Sequence, residues 1–105
     1  MTDATSELSP EDAKLVVLAR ATLARTGAAE AAAIRDLDGR TYAAAAVDMP
    51  SLHVSALGVC VAMAYSSGSR GVEAVVVMGG GSELAPNDAA LLHEFEGDHV
   101  VVHLL

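Results

Sequence analysis

The chain has 105 residues, a formal net charge of −8 and a single cysteine, Cys60. Its only lysine is Lys14 and its five arginines are scattered, which argues against a nucleic-acid or anionic-membrane partner, because proteins that bind phosphates cluster their basic side chains. A lone cysteine excludes an intrachain disulfide, and a hydrophobic content of 52 % argues against disorder.

The N-terminus has no basic region followed by an apolar run, so we expect no signal peptide. No apolar run reaches the roughly 18 residues of a membrane span. We therefore expect a cytoplasmic protein. Aromatic residues are only 3 % of the chain, and a core of alanine, valine and leucine holds little volume per side chain. This composition favours a homo-oligomer, because self-association would bury further surface.

The first predicted element is a helix that follows a flexible tail over residues 1–8. Ser9 is suited to cap this helix, Pro10 to its first position and Gly27 to its end. A spacing of three and four residues predicts one apolar stripe along it. The stripe consists of Leu15, Leu18, Ala19, Thr22 and Leu23.

Two further elements are predicted between residues 31 and 68. The Asp38-Gly39 pair lies between two runs of strand-like sequence and predicts a β-hairpin, since both residues tolerate positive φ angles. Pro50-Ser51 predicts the start of a second helix, which runs to about Ser67 and ends at Gly68. Because apolar residues extend around most of its circumference, this helix is predicted to be central and buried.

Three elements are predicted in the last third of the chain. Val72–Met78 contains the run Val75-Val76-Val77-Met78 without polar alternation, which indicates a strand buried on both faces. Residues 86–95 form a predicted helix with Gly97 as its stop, and residues 99–105 form a last strand. The element order predicts an α/β fold with a mixed sheet, an N-terminal β-hairpin and helices on both faces, in one domain over residues 9–105.

Five segments resemble motifs of the cytidine deaminase family, in the same order and at similar spacings. They are Asp38-Gly39-Arg40-Thr41-Tyr42 (the family's hairpin turn, often D-G-x-x-Y), Ala46-Val47-Asp48 (N-V-E), residues 56–68 (the A-E-R-x-A-I-x-K-A-x-S-x-G helix), residues 71–77 (the following strand) and residues 85–95 (the P-C-x-x-C helix that ends in E-F). The resemblance covers roughly residues 12 to 104 and implies the three-layer cytidine-deaminase-like fold.

The resemblance also implies a zinc site that this sequence does not reproduce. In the family, a Cys or His and two later cysteines bind zinc, and a Glu two residues after the first ligand transfers the proton. Ser55 and Leu57 stand at the first-ligand and Glu positions, and residues 87–91 contain no cysteine. The Asn and Glu that hold the ribose correspond to Ala46 and Asp48. We therefore expect no catalytic residue, no metal ligand and no cofactor.

A relocated metal site has little support in the sequence. The candidate ligands are His53, Cys60, His93, His99 and His103. On one strand face, His99 and His103 would lie about 13 Å apart, too far to bind a single ion. On the predicted helix, His53 does not face Ser55, which also argues against a serine nucleophile. Cys60 is most simply a small buried apolar residue.

The loop Gly79-Gly80-Gly81 follows the buried strand. It lacks the Lys-Ser/Thr of a phosphate-binding loop and does not run directly into a helix, so a flexible connection is the simplest interpretation. Loops at the carboxyl ends of strands border the site in this fold. Gly79, Gly80 and Gly81, together with Asp48, are therefore the candidate ligand-binding residues.

Three functional hypotheses remain. The first is a catalytically inactive, cytidine-deaminase-like protein that acts in assembly or binds an unidentified protein partner. The second is a non-catalytic module that binds a nucleoside through Asp48 and the glycine loop. The third is a zinc hydrolase of pyrimidine nucleosides, which needs ligands that this sequence lacks. The enzyme question stays open, with the inactive protein favoured.

Overall fold

A computed structural model describes residues 8–95 and 99–105 of the chain. Within these ranges it contains three helices and six strands, joined mostly by short turns. In chain order they are α1 (Pro10–Thr26), β1 (Ala31–Asp36), β2 (Thr41–Ala45), β3 (Val47–Met49), β4 (Leu52–Val54), α2 (Ala56–Ser66), β5 (Val72–Met78), α3 (Pro86–Glu94) and β6 (Val101–Leu104). No helix in the described ranges is long and apolar enough to cross a membrane.

Four strands form the central sheet in the order β2-β1-β5-β6. β1 is antiparallel to β2 and to β5, whereas β5 and β6 are parallel and are connected through α3. The β1–β2 connection is the predicted hairpin around Asp38-Gly39, with Gly39 at a φ of 87°. The predictions of an α/β fold and of a mixed sheet are confirmed.

Helices cover both faces of the sheet, as predicted, and β1 contributes side chains to both layers. Ala33 faces α1 and belongs to the same buried cluster as Leu15 and Ala19. Ala32 and Ile34 face the opposite side and pack in the cluster that includes α2 and α3. Alternation along β1 thus directs Ala33 to one helix layer and Ala32 and Ile34 to the other.

Helix α1 begins and ends as its sequence predicts. Ser9 Oγ accepts a hydrogen bond from the Asp12 backbone N–H at 3.1 Å, and Gly27 adopts a φ of 66° and donates its N–H to the Leu23 carbonyl. The predicted apolar stripe is wrong at Leu18, which is 36 % exposed. The buried face of α1 includes Asp12 instead, because this carboxylate makes hydrogen bonds with Arg35 on β1 and His103 on β6.

The predicted start of the second helix at Pro50-Ser51 is wrong. These two residues form the turn of a short hairpin in which Asp48 pairs with His53 across β3 and β4. Helix α2 starts only at Ala56. The hairpin forms because two three-residue runs with apolar ends flank a turn dipeptide, and the better N-cap for the helix lies five residues later than Pro50.

Two other expectations also change. Helix α2 is not enclosed on all sides, since Ala62 and Tyr65 are exposed in the described structure. The last strand starts at Val101, so His99 lies in a turn before β6 rather than on its face. The predicted helix stop at Gly97 and residues 1–7 of the predicted tail lie outside the described residues, whereas Leu8 packs against the α1 cluster.

Candidate functional site

The N-termini of α2 and α3 lie side by side and are joined through Ser55. This residue is the N-cap of α2, and its Oγ accepts a hydrogen bond from the Gly58 N–H at 3.0 Å. The same hydroxyl donates to Oδ1 of Asp88 at 2.6 Å. Asp88 is a buried residue in the first turn of α3, where a negative charge is favoured by the helix dipole. The Ser55 hydroxyl therefore links the two helix starts.

Glu30 reaches the same place from the segment before β1. Its Oε1 accepts a hydrogen bond from the Ala56 N–H at 3.0 Å, so it satisfies one of the free donors at the start of α2. Its Oε2 lies beside the glycine loop, where a Cβ on Gly80 would come within 2.8 Å of it. Ser55, Asp88 and Glu30 are called the helix-start cluster below.

The predicted glycine loop is built closely against the rest of the chain. Gly79 has a φ of 83°, and a Cβ at this position would lie 2.2 Å from the Ala29 carbonyl oxygen. Its N–H also donates to the carbonyl of Leu105. Gly79 is therefore required by its backbone geometry. The predicted ligand contacts of Gly79, Gly80 and Gly81 stay predictions.

Leu57 is fully buried and packs in the apolar cluster between α2 and the sheet. A side chain without polar atoms stands at the position that the family resemblance assigns to a proton-transferring Glu. Asp88 and Glu30 do not repeat that arrangement, because each is engaged with a helix start.

Asp48 lies outside the helix-start cluster. It is on β3 with its side chain 85 % exposed, and its Oδ1 is 2.8 Å from His53 Nδ1 on β4. An exposed pair of this kind contributes little to stability. The prediction that Asp48 contacts a ligand stays a prediction.

The candidate metal ligands are dispersed. Cys60 is buried and its thiol donates to the Ala32 carbonyl at 3.5 Å. Burial raises the pKa of this thiol to about 12, so it is protonated at neutral pH. His103 is engaged with Asp12 at 3.0 Å, and His53 is on the surface hairpin. Across residues 8–95 and 99–105, no three His, Cys, Asp or Glu side chains converge in a metal-binding arrangement.

The donor set at the helix starts does not fit the zinc ion that the fold family implies. The first-ligand position holds Ser55, whose hydroxyl is used within the protein. Counting from Pro86, the two cysteine positions of the P-C-x-x-C motif fall at Asn87 and Ala90, and both are exposed. Zinc sites in proteins are built from thiolates, imidazoles and carboxylates, and an alanine offers no donor.

A second polar cluster lies at the end of β1, away from the helix starts. The buried carboxylate of Asp36 accepts hydrogen bonds from the Ser69 hydroxyl, from the backbone N–H groups of Asp38 and Arg40, and from Arg40 Nε at 3.1 Å. Burial alone would raise the pKa of Asp36, but the hydrogen bonds from Ser69, Arg40 and Asp38 lower it overall. This cluster holds the β1–β2 turn.

A third polar cluster connects α1 with the sheet. Asp12 on α1 lies 2.8 Å from Arg35 Nη2 on β1 and 3.0 Å from His103 Nε2 on β6. Arg35 also lies 3.3 Å from Glu73 on β5. Burial alone would raise the pKa of Asp12, whereas the hydrogen bonds from His103 and Arg35 lower it overall.

An open apolar groove of about 570 Å³ runs between α2 and α3. Near the C-terminal ends of these helices Tyr65 packs against Phe95, with ring centroids 6.2 Å apart. The residues that line the groove are Gly58, Val61, Ala62, Tyr65, Leu91, Glu94 and Phe95. The sequence did not reveal this groove, because it had predicted that α2 would be enclosed.

The fold and the comparisons define the class of this protein. A family model described as "Cytidine deaminase-like" matches residues 8–105, so the chain belongs to the cytidine deaminase-like family. The resemblance stated from the sequence is confirmed at this level. No curated protein sequence is significantly similar to the chain.

Two solved structures share the fold. One is a mutant cytidine deaminase from Mycobacterium tuberculosis, with a TM-score of 0.73, 24 % identity, and coverage of 86 % of this chain and 82 % of the other. The other is a cytidine deaminase from Mycobacterium leprae, with a TM-score of 0.65, 24 % identity, and coverage of 83 % and 84 %. At this level of identity, the similarity establishes the fold of the chain.

Proposed function

We propose that this chain is a catalytically inactive member of the cytidine deaminase-like family that acts in assembly or in binding a protein partner. The observation that carries the proposal is the hydrogen bonding of Ser55. At the position of the first zinc ligand, it joins α2 to α3 by a hydrogen bond with Asp88 at 2.6 Å. A contact within the protein thus takes the place of a metal ligand.

Leu57 supports the same proposal. A zinc deaminase needs a carboxylate to take a proton from the metal-bound water and deliver it to the base. Leu57 is fully buried and has no ionisable group. Restoring a zinc ligand alone would therefore leave the proton transfer without a residue to perform it.

Elemental analysis of the purified protein tests the inactive state directly. We expect less than about one zinc in ten chains, and a melting temperature that a chelator leaves unchanged within about 1 °C. A zinc-loaded protein measured in parallel is the positive control. Stoichiometric zinc whose removal unfolds the chain would overturn the proposal.

Nucleoside binding and turnover are tested on the same sample. We expect no release of ammonia from cytidine and no thermal stabilisation by cytidine, uridine or their deoxy forms. A specific ligand at a hundred times its dissociation constant would stabilise the protein by about 2.7 kcal/mol. Such a shift without turnover would favour the nucleoside-binding module instead, and Asp48→Ala would then show whether that residue contributes.

Light scattering after size exclusion, followed by a pull-down from lysate, tests the assembly role. We expect a defined oligomer or a specifically captured protein. A monomer that captures nothing would leave the chain without the proposed role, even if its zinc content and turnover were nil.

A further inference from the structure

Helix α1 has a second face, which is exposed and lies opposite the face that packs on the sheet. The packed face contains the buried residues Asp12, Leu15, Val16, Ala19 and Thr22. The exposed residues recur at spacings of three and four and therefore share one side of the helix. They are Lys14, Val17, Arg20, Ala21, Ala24 and Arg25, and they are called the outer face of α1 below.

An apolar strip runs along the middle of the outer face. Val17 is 62 % exposed, and the two alanines of the face continue its line along the helix. With 3.6 residues per turn, Arg20 lies on one side of this strip, and Lys14 and Arg25 lie on the other. The face is about 17 Å long at the helical rise. It thus offers an apolar contact between two basic borders.

The charge of the outer face is opposite to that of the rest of the chain. Residues 13–28 contain three basic side chains and no acidic one. This stretch carries a charge of +3 in a chain of net charge −8, so the other residues together carry −11. The outer face is therefore a basic patch on an acidic protein, and it attracts a partner of negative charge.

The basic side chains of the outer face are also those that the fold does not use. Arg35 and Arg40 form ion pairs within the protein, and Arg70 lies over the ring of Tyr65. Lys14, Arg20 and Arg25, by contrast, form no ion pair or hydrogen bond through their side chains with residues 8–95 or 99–105. Their charges remain available to a partner.

The dimensions of the outer face favour a short acidic helix over a polyanion. A helix of about 11 residues covers 17 Å and stays within the basic face. A polynucleotide or an anionic bilayer extends beyond it, over surface that is acidic, and the repulsion acts over a Debye length of about 8 Å. The apolar strip matches the apolar side of an amphipathic helix.

We propose that the outer face of α1 binds an acidic amphipathic helix of a partner protein. The apolar side of that helix covers Val17, and its carboxylates lie beside Lys14, Arg20 and Arg25. The inference rests on the partner-binding role in the proposed function and names the surface and the chemistry of the partner. Charge complementarity of this kind raises the rate of association and selects the partner.

Peptide selection tests this inference without a known partner. The full chain is the bait for a display library of alanine-rich helical peptides of 18 residues with randomised exposed positions. We expect the selected peptides to be enriched in Asp and Glu beside apolar residues at helical spacing. Their dissociation constants, measured by fluorescence anisotropy, should rise about tenfold between about 0.05 M and 0.5 M salt.

Variants of the outer face locate the binding site. Lys14→Glu, Arg20→Glu and Arg25→Glu should each raise the dissociation constant about fivefold, and the triple variant about a hundredfold. Val17→Asp should raise it about thirtyfold, because a charge would enter the apolar strip. Replacing the acidic residues of a selected peptide by lysine should restore its binding to the triple variant to within about tenfold of the original.

Matched controls place the same changes elsewhere. Leu37→Asp alters an apolar residue that is 59 % exposed in the β1–β2 turn, and Arg70→Glu reverses an exposed charge outside the outer face. Both should leave the dissociation constant within about twofold of the original. Arg20→Lys, which keeps the charge of the face, should do the same. Circular dichroism checks that every variant is folded.

Several results would overturn this inference. These are a selection that yields no binding peptide, selected peptides without an excess of acidic residues, or peptides that bind the triple variant as well as the unchanged chain. Binding to phosphatidylserine vesicles that the triple variant loses would assign the face to a membrane instead. An oligomer of the chain that the triple variant dissociates would assign it to a second copy. None of these results changes the zinc or turnover measurements, and a partner captured through another surface would leave the proposed function standing.

Discussion

Two aspartate–serine pairs hold two different parts of this molecule. Asp36 accepts a hydrogen bond from Ser69 at the end of β1, and Asp88 accepts one from Ser55 at the start of α3. Both aspartates are buried. The first carboxylate, however, takes its other hydrogen bonds from its own turn, through Asp38 and Arg40, whereas the second connects two helices that are distant in sequence.

This difference separates two uses of a buried carboxylate. The Asp36 carboxylate accepts four hydrogen bonds from protein donors, so it stabilises a turn and has little capacity for a ligand. The helix-start cluster lies where the family resemblance places a metal site. There, Ser55 and Asp88 join the helices by a direct hydrogen bond. The pairs are chemically alike, but the first holds a turn and the second joins two helices.

The largest expected effect comes from removing the Asp36 carboxylate, which accepts four hydrogen bonds from protein donors. Asp36→Asn should lower the free energy of unfolding by about 3 kcal/mol, because Ser69 and Arg40 would lose a buried charged acceptor. Urea denaturation followed by circular dichroism measures the change. Asp38→Asn in the same turn, where the side chain is 72 % exposed, should cost less than about 0.5 kcal/mol. Equal costs for the two variants would show that Asp36 does not hold the turn.

A single methyl group added at Gly79, in the glycine loop, should lower the free energy of unfolding. Gly79→Ala should cost about 2 kcal/mol, since the new Cβ would meet the Ala29 carbonyl and the backbone has a positive φ. Gly81→Ala is the matched control, with a φ of 94° and open space around it. It should cost only about 1 kcal/mol, from backbone strain alone. If thermal unfolding gave the same loss for both, the close approach at Gly79 would have no energetic consequence.

Ser55 and Asp88 should show a measurable coupling free energy. A double-mutant cycle with Ser55→Ala and Asp88→Ala should give an interaction free energy of about 1.5 kcal/mol, typical of a hydrogen bond to a carboxylate. The cycle removes the separate cost of losing the Ser55 cap of α2. Additive losses would mean that the two helix starts are held by other contacts.

Acid should destabilise the protein by protonating Asp36 and Asp12, the two carboxylates whose pKa values are lowered. The folded pKa of Asp36 and that of Asp12 lie below the ordinary value of 3.8, because hydrogen bonds to the charged forms outweigh burial. Their stabilisation is therefore complete above that value and is lost as the pH falls through the folded pKa. The free energy of unfolding should decrease as the pH falls below about 4. Asp36→Asn and Asp12→Asn should each flatten this decrease, and a profile parallel to that of the unchanged protein would contradict the assignment.

The sequence alone determined the features that depend on neighbouring residues. The Ser9 cap, the αL glycine at Gly27 and the Asp38-Gly39 turn are recognised within a few positions, because their hydrogen bonds and φ angles are local. The buried strand β5 was recognised from its run of valines. Together these elements predicted the mixed sheet, and the motif order predicted the family.

The tertiary structure alone decided how distant polar groups meet. Glu30 is 26 residues from Ala56, and Ser55 is 33 residues from Asp88, so no local pattern could pair them. The inward turn of Asp12 likewise depends on partners in β1 and β6. A buried polar side chain forms hydrogen bonds with the donors or acceptors that the folded chain brings near it. These partners are defined only after the helices and strands have packed.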